Sequence, residues 1–180
     1  MDKNSYLSHT WVHPALFVNK SKIDQKGIFT SDPIAKGEKV MIFGGILANI
    51  NDLDENKYRL LSMFPMSDEI YLGLPITDTS ESIDEYLNHS CNPNVWLIDE
   101  VTVVARRDLK TGEEVTMDCA TWDSDPSYTY SNDGKCYCES TLCRKVLSHD
   151  DWKKPELQTR YKGHFAPYIQ RKIDNLISSV

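Results

Sequence analysis

The chain reads as a mainly β fold with short helices, and three features of the sequence say so. Short apolar runs at 28–29, 40–43, 70–74, 95–98 and 101–105 are separated by Gly, Pro, Asn and Asp, the pattern of brief strands joined by turns. Two segments echo each other, Ile34-Ala35-Lys36-Gly37-Glu38-Lys39-Val40 and Leu109-Lys110-Thr111-Gly112-Glu113-Glu114-Val115. Each leads a Gly-Glu turn into a β-branched residue, a strand-turn-strand signal. Beyond Pro167, Ile169, Ile173, Leu176, Ile177 and Val180 recur at helical spacing and predict an amphipathic helix.

Between these landmarks the elements follow in order. The stretch Asn51 to Met63, with Leu53, Tyr58, Leu60 and Leu61 as its apolar members, predicts a helix, and Ser82 to Leu87 one helical turn. Pro155 and Pro167 each sit where a first helical turn begins, with Gly163 between them as a stop, because proline is tolerated there and little elsewhere in a helix. The expected layout is a strand-rich body over 10–120, an irregular segment over 121–149 and two short C-terminal helices.

Composition bounds the function. The 180 residues carry 20 basic and 27 acidic side chains, a net charge of −7, in a chain long enough for one domain with a true core. An acidic chain is a poor binder of nucleic-acid phosphates and suits a basic partner such as a lysine-rich peptide. No apolar run approaches the roughly 18–20 residues of a membrane span. Met1 to Trp11 lacks the basic-then-apolar layout of a secretory signal, so a cytoplasmic or nuclear location is expected.

Five cysteines, Cys91, Cys119, Cys136, Cys138 and Cys143, all fall in the second half. An odd, clustered set without an export signal reads as metal binding plus one spare thiol. Cys136-Tyr137-Cys138-Glu139-Ser140-Thr141-Leu142-Cys143 is C-x-C-x4-C, and three thiolates so spaced can wrap one side of a tetrahedral Zn²⁺ at about 2.3 Å. Lys135 and Arg144 flank the cluster and favour thiolate formation. A closed structural site needs a fourth ligand, and spacing leaves His149, Cys119 and Cys91 in competition.

Asn88-His89-Ser90-Cys91-Asn92-Pro93-Asn94, followed by Gly112-Glu113-Glu114-Val115-Thr116-Met117-Asp118, closely resembles the two signature motifs of the SET-domain protein-lysine methyltransferases. The C-x-C-x4-C run resembles their post-SET zinc segment. Lys26-Gly27-Ile28-Phe29-Thr30, the Lys36-Gly37-Glu38 turn and Gly44-Gly45 resemble the start of the same domain. The resemblance covers about residues 12–148. The tail, Asp151-Trp152, Pro155, Arg160-Tyr161 and Gly163-His164-Phe165, resembles that of small stand-alone SET proteins.

The resemblance implies a fold of small curled sheets with a C-terminal pseudoknot: a SET domain over 12–122, a post-SET zinc segment over 123–149 and a helical appendage over 150–180. It implies one structural Zn²⁺ held by Cys91 with Cys136, Cys138 and Cys143. S-adenosylmethionine is then expected against Lys26, Gly27, Ile28 and Phe29 on one side and Tyr86, Asn88 and His89 on the other, with Leu147 over the adenine. Tyr71 is expected to line a lysine channel opening on the opposite face. The implied reaction is S-adenosylmethionine-dependent N-methylation of lysine in a protein or peptide, basic or histone-like.

The sequence departs from the family pattern at the reacting end. Cys119 stands where a tyrosine hydroxyl usually meets the transferring methyl, and Met117 where a Phe or Tyr tunes the number of methyls added. A thiol is shorter and a weaker hydrogen-bond partner than a phenol, so a hole is expected there. Tyr128, Tyr130 or the Trp122 region are candidates to refill it; a SET-fold cofactor- or partner-binding module with weak or lost catalysis is the alternative. Gln25 replaces the usual first glycine of the cofactor loop, and the segment before Tyr86 lacks the usual Tyr-Gly. A zinc-finger nucleic-acid binder fits the cysteines but neither the charge nor the lack of a basic helix.

Overall fold

A computed structural model describes residues 6–127 and 130–178. Its strands are β1 (Trp11–Val12), β2 (Leu16–Lys20), β3 (Lys26–Thr30), β4 (Lys39–Ile42), β5 (Ile46–Asn49), β6 (Phe64–Pro65), β7 (Ile70–Gly73), β8 (Asn88–His89), β9 (Val95–Leu97), β10 (Thr102–Ala105) and β11 (Glu114–Met117). Helices α1 (Pro155–Arg160) and α2 (Pro167–Ser178) follow. The strands form three small sheets, ordered β1-β4-β10-β9, β2-β3-β11-β8 and β5-β7-β6. Each of the five expected apolar runs falls on a strand.

The two echoing turns pair with each other. Ile34 and Leu109 exchange backbone hydrogen bonds of 3.2 and 2.8 Å. Gly37 donates to Ala105 and Ala105 to Glu38, while Gly112 donates to Thr30 and Thr30 to Glu113. Within each turn the glutamate side chain accepts from the backbone three residues earlier, Glu38 from Ala35 and Glu113 from Lys110, both at 3.0 Å. Gly37 and Gly112 hold φ of +84° and +78°, the left-handed conformation that glycine adopts without penalty. Val40 and Val115 then enter the core, both fully buried.

The helix expected over Asn51 to Met63 is absent. Two 3-10 turns, Ile50–Asp52 and Leu60–Ser62, bracket irregular chain. Side chains compete with the backbone here: Asn49 Oδ1 accepts from the Asn51 N–H and Asp54 Oδ1 from the Asn56 N–H, turn-forming bonds that divert the chain from a helix. Leu60 and Leu61 are exposed. The turn within Ser82 to Leu87 forms at Ile83–Tyr86.

Both C-terminal helices begin at their prolines. In α2, Ile169 and Ile173 reach the core, whereas Leu176 and Ile177 are exposed; Val180 lies outside the described residues. The central core gathers Ile28, Met41, Val95, Leu97, Val115, Leu157, Tyr161 and Ile169. β8 runs parallel to β11, with Asn88 opposite Thr116 and His89 opposite Met117. Asn94 secures that pairing, since its side-chain oxygen accepts the Thr116 N–H and its amide donates to the Glu114 carbonyl, both at 2.8 Å. The 88–94 loop and the 114–119 segment are thereby held together.

Candidate active site and cysteine cluster

Four cysteines converge. The Sγ atoms of Cys91, Cys136, Cys138 and Cys143 lie within 4.8 Å of one another, with Cys91 and Cys136 3.8 Å apart. Sulfurs about 2.3 Å from a tetrahedral centre stand about 3.8 Å from each other, so the donor set fits a zinc-sized ion. Backbone N–H groups of Arg144, Cys91 and Lys145 point at Cys91, Cys138 and Cys143 sulfur respectively. Hydrogen bonding to Cys136, then to His89 and the Arg144 N–H, holds the Cys91 thiol well below its usual value, with Cys136 pushed up in return. Glu139 and Lys145 bend back at φ +52° and +66°, conformations that non-glycine residues adopt at a cost. Of the three residues that spacing left open, Cys91 joins the triplet; His149 and Cys119 do not.

His89 ties this cluster to the second motif. Its Nδ1 accepts the Cys119 N–H at 3.2 Å. The ring proton therefore sits on Nε2, which lies 3.2 Å from Cys91 Sγ and donates to it.

Arg144, beside the last cysteine, reaches inward. Its two terminal nitrogens meet the two Asp118 oxygens, each at 2.7 Å, and its Nε meets Asp151 at 2.7 Å. Tyr161 adds a hydroxyl to Asp118 at 2.9 Å. Burial alone would raise the Asp118 carboxyl, but the hydrogen bonds and the positive charge of Arg144 hold it below the usual carboxylate range. None of this was legible in the sequence, because Arg144 and Asp118 carry no local signature of each other.

Between the cysteine cluster and the sheets lies a cleft. Asn88, His89, Met117, Cys119 and Leu147 border it together with Phe43, Phe64, Trp122 and Tyr130. Phe43 stacks on Phe64 at 4.1 Å, and Phe64 meets Trp122 at 5.5 Å, giving an aromatic wall. Asp24, Asp84 and Glu85 border the same cleft, as does Lys135. Cys119 is buried, and burial pushes its thiol above the usual range.

The other residues singled out in the sequence take different places. Lys26 to Phe29 form β3: the Lys26 carbonyl accepts the Asn88 amide at 2.9 Å, Ile28 is fully buried, and Phe29 faces Phe17 at 6.2 Å. A Cβ on Gly27 would stand 2.2 Å from Glu114 Oε1 and 2.9 Å from Asn88 Nδ2, so only glycine lets these side chains close over the strand. Glu114 also accepts from Asn88 Nδ2, at 2.8 Å, which leaves the Asn88 amide oxygen as that side chain's remaining polar atom. Tyr86 is half-buried beneath the Lys26 ammonium. Tyr71 is buried outside the cleft lining, with its hydroxyl donating to Asp125. Gln25 holds φ +29°, keeping a glycine-like conformation without glycine. Tyr128 lies outside the described residues.

Small sheets, the paired 88–94 and 114–119 segments and this cleft define a SET-domain protein. The SET domain family profile matches residues 25–120, and the chain belongs to that family. It is 29% identical over 147 residues to the histone-lysine N-methyltransferase ASHH3 of Arabidopsis thaliana, covering 72% of this chain and 39% of that protein. Trr, a histone-lysine N-methyltransferase of Drosophila melanogaster, is 27% identical over 146 residues, covering 74% of this chain and 6% of that protein. This chain thus spans well under half the length of the curated relatives it matches. Among solved structures, the methyltransferase domain of human SETMAR superposes with a TM-score of 0.54 at 19% identity, covering 76% of this chain and 59% of that one. That likeness is one of fold. Among the described residues no helix is long and apolar enough to cross a membrane.

Proposed function

We propose that this protein is an S-adenosylmethionine-dependent N-methyltransferase acting on lysine side chains of a protein or peptide. One observation carries the reading: a single aromatic-walled cleft is bordered at once by Asn88-His89, by Met117 and Cys119, and by Leu147 from the cysteine segment. Relatives named as histone-lysine methyltransferases support it. So does a SET-fold structure, KRYPTONITE in complex with mCHG DNA and SAH, with a TM-score of 0.52 at 21% identity over 74% of this chain and 29% of that one. The net charge of −7 argues for a basic protein substrate and against direct nucleic-acid binding in this chain. A histone-like substrate places the protein in the nucleus or cytoplasm.

Bound in the cleft, S-adenosylmethionine would supply a methyl group activated on a sulfonium. The chain's task is to deliver a neutral lysine. With an ordinary pKa near 10.4, lysine at neutral pH is about a thousandfold short of free amine, a handicap of about 4 kcal/mol. The wall of Phe43, Phe64 and Trp122 strips water from the ammonium and favours loss of its proton to solvent. It then confines the side chain beside the methyl, the positioning share of catalysis. Asp24 and Asp84 draw a cationic side chain toward the cleft, while Glu85 is taken up by Arg59 at 2.8 Å. The Asn88 amide oxygen would accept from the cofactor's amino group.

Zinc in the four-cysteine cluster would be structural, since four sulfurs leave no open coordination position. It would hold Leu147 and the 123–149 segment against the SET unit of 12–122, with 150–180 packed behind. Incubation with labelled S-adenosylmethionine and mixed basic proteins, read by mass, tests the proposal: methyl-lysine on a protein is the expected result. Clear cofactor binding with no transfer would replace it with the reading of a binding module that has lost turnover.

A further inference from the structure

Building on the methyltransferase reading, we propose that Tyr130, aimed by Asp123 and His149, supplies the cleft hydroxyl that position 119 lacks. Tyr130 and Cys119 line the same cleft. The chain returns to it through Asp123, whose N–H donates to the Cys119 carbonyl at 2.8 Å. Asp123 is 2% exposed, and its Oδ2 accepts from both the Tyr130 hydroxyl and His149 Nδ1, the latter at 2.7 Å. An ionised carboxylate only accepts, so the imidazole carries its proton on Nδ1. The His149 and Tyr130 rings stack at 4.5 Å with 12° between their planes. The phenol is thus fixed in plane by the stack and in direction by the carboxylate.

That geometry suits an acceptor. A hydroxyl whose hydrogen is committed to a carboxylate keeps its oxygen lone pairs for other donors, and the bond it makes polarises them. Burial first, then the acidic neighbours Cys119 and Asp123, push the Tyr130 phenol well above its ordinary value, so it remains neutral at physiological pH. A neutral lysine amine has N–H groups to donate. One of them, donated to the Tyr130 oxygen, turns the amine lone pair toward the methyl. In the transfer the N–C bond forms as the C–S bond breaks, and S-adenosylhomocysteine leaves. The lysine has already lost its proton to solvent, and Tyr130 gains and loses none. Tyr130 is the catalytic residue; Asp123 and His149 are positioning residues.

The test uses the full chain. Tyr130→Phe, which removes only the oxygen, is expected to lower kcat roughly 100- to 1,000-fold, the scale of one positioned hydrogen bond at a reacting centre. Calorimetric affinity for S-adenosylhomocysteine should be unchanged. His149→Phe keeps the ring but removes the donor and is expected to lower kcat several-fold without altering the KM for the basic protein substrate. Adding Cys119→Tyr to Tyr130→Phe should restore most of the lost turnover. Independently of activity, Cys119→Tyr alone should crowd Tyr130 and lower Tm, and Tyr130→Ala in the same chain should recover it. Wild-type kcat in Tyr130→Phe, or strictly additive Tm changes in the pair, overturns the proposal while leaving the methyltransferase reading intact. A wild-type chain that binds cofactor but methylates nothing overturns both.

Discussion

Arg144 and Asp118 meet as a planar fork, two N···O contacts of 2.7 Å between side chains 9% and 0% exposed. The pair joins the end of the cysteine segment to the end of β11, and Asp151 draws the C-terminal helices to the same guanidinium. Removing one partner strands a buried charge, which costs about 3–5 kcal/mol. Arg144→Ala and Asp118→Ala should each lower urea-unfolding stability by that order. Arg144→Lys should recover only a part, because an ammonium cannot fork to two oxygens.

The same pair sets a pH dependence. The folded-state pKa of Asp118 is depressed, so the folded chain binds fewer protons than the unfolded one as the pH falls. Its contribution is complete above the ordinary carboxylate value of about 3.9 and is lost as pH drops through the lower folded value. The stability difference between wild type and Asp118→Asn should therefore be constant from pH 7 to about pH 5 and narrow below about pH 4. A flat difference across that range would contradict the assignment.

Four sulfurs at tetrahedral spacing predict one zinc per chain in elemental analysis. Cys138→Ser should lose the metal. A strong chelator should lower Tm and weaken S-adenosylhomocysteine binding together, because Leu147 reaches the cleft from the segment the ion fastens. Retained cofactor affinity in metal-free protein would separate the cluster from the cleft.

Gly27→Ala places a methyl 2.2 Å from Glu114 Oε1 and 2.9 Å from Asn88 Nδ2, pushing apart the two side chains that close over β3. Calorimetry should show S-adenosylhomocysteine affinity falling by at least about tenfold, which is about 1.4 kcal/mol.

Backbone strain gives a paired prediction. Gly37→Ala meets no atom within 4 Å, so its cost is the conformational penalty alone, about 1–2 kcal/mol. Gln25 already sits at φ +29°, and Gln25→Gly should be neutral to slightly stabilising. Thermal unfolding of the two variants should move in opposite directions, or the second not at all.

The sequence made some of this legible and hid the rest for definable reasons. Pro155 and Pro167 marked helix starts because their missing N–H groups fit only there. Paired β-branched runs marked strands because their neighbours along the chain were turn formers. The Asn51–Met63 segment misled because apolar spacing alone ignores Asn49 and Asp54, whose side chains capture backbone donors. Within the site, the cysteine triplet announced itself by local spacing and Cys91 by its motif. Tyr130 and His149 were each singled out, but neither the Asp118–Arg144 fork nor the joining of Tyr130 and His149 at Asp123 could announce itself, since no local spacing links these side chains.

The reciprocal stitching of the turns at 34–40 and 109–115 bears on how the chain acquires its structure. Each turn is tied to chain some seventy to eighty residues away, the first to Ala105 and the second to Thr30, so neither is closed by its own flanking strands. Long-separation contacts of this kind must assemble before they reward the entropy spent on closing the loop, which slows folding. Truncation ahead of residue 109 should leave the first half without a native state, and intact protein should lose both turns in one transition.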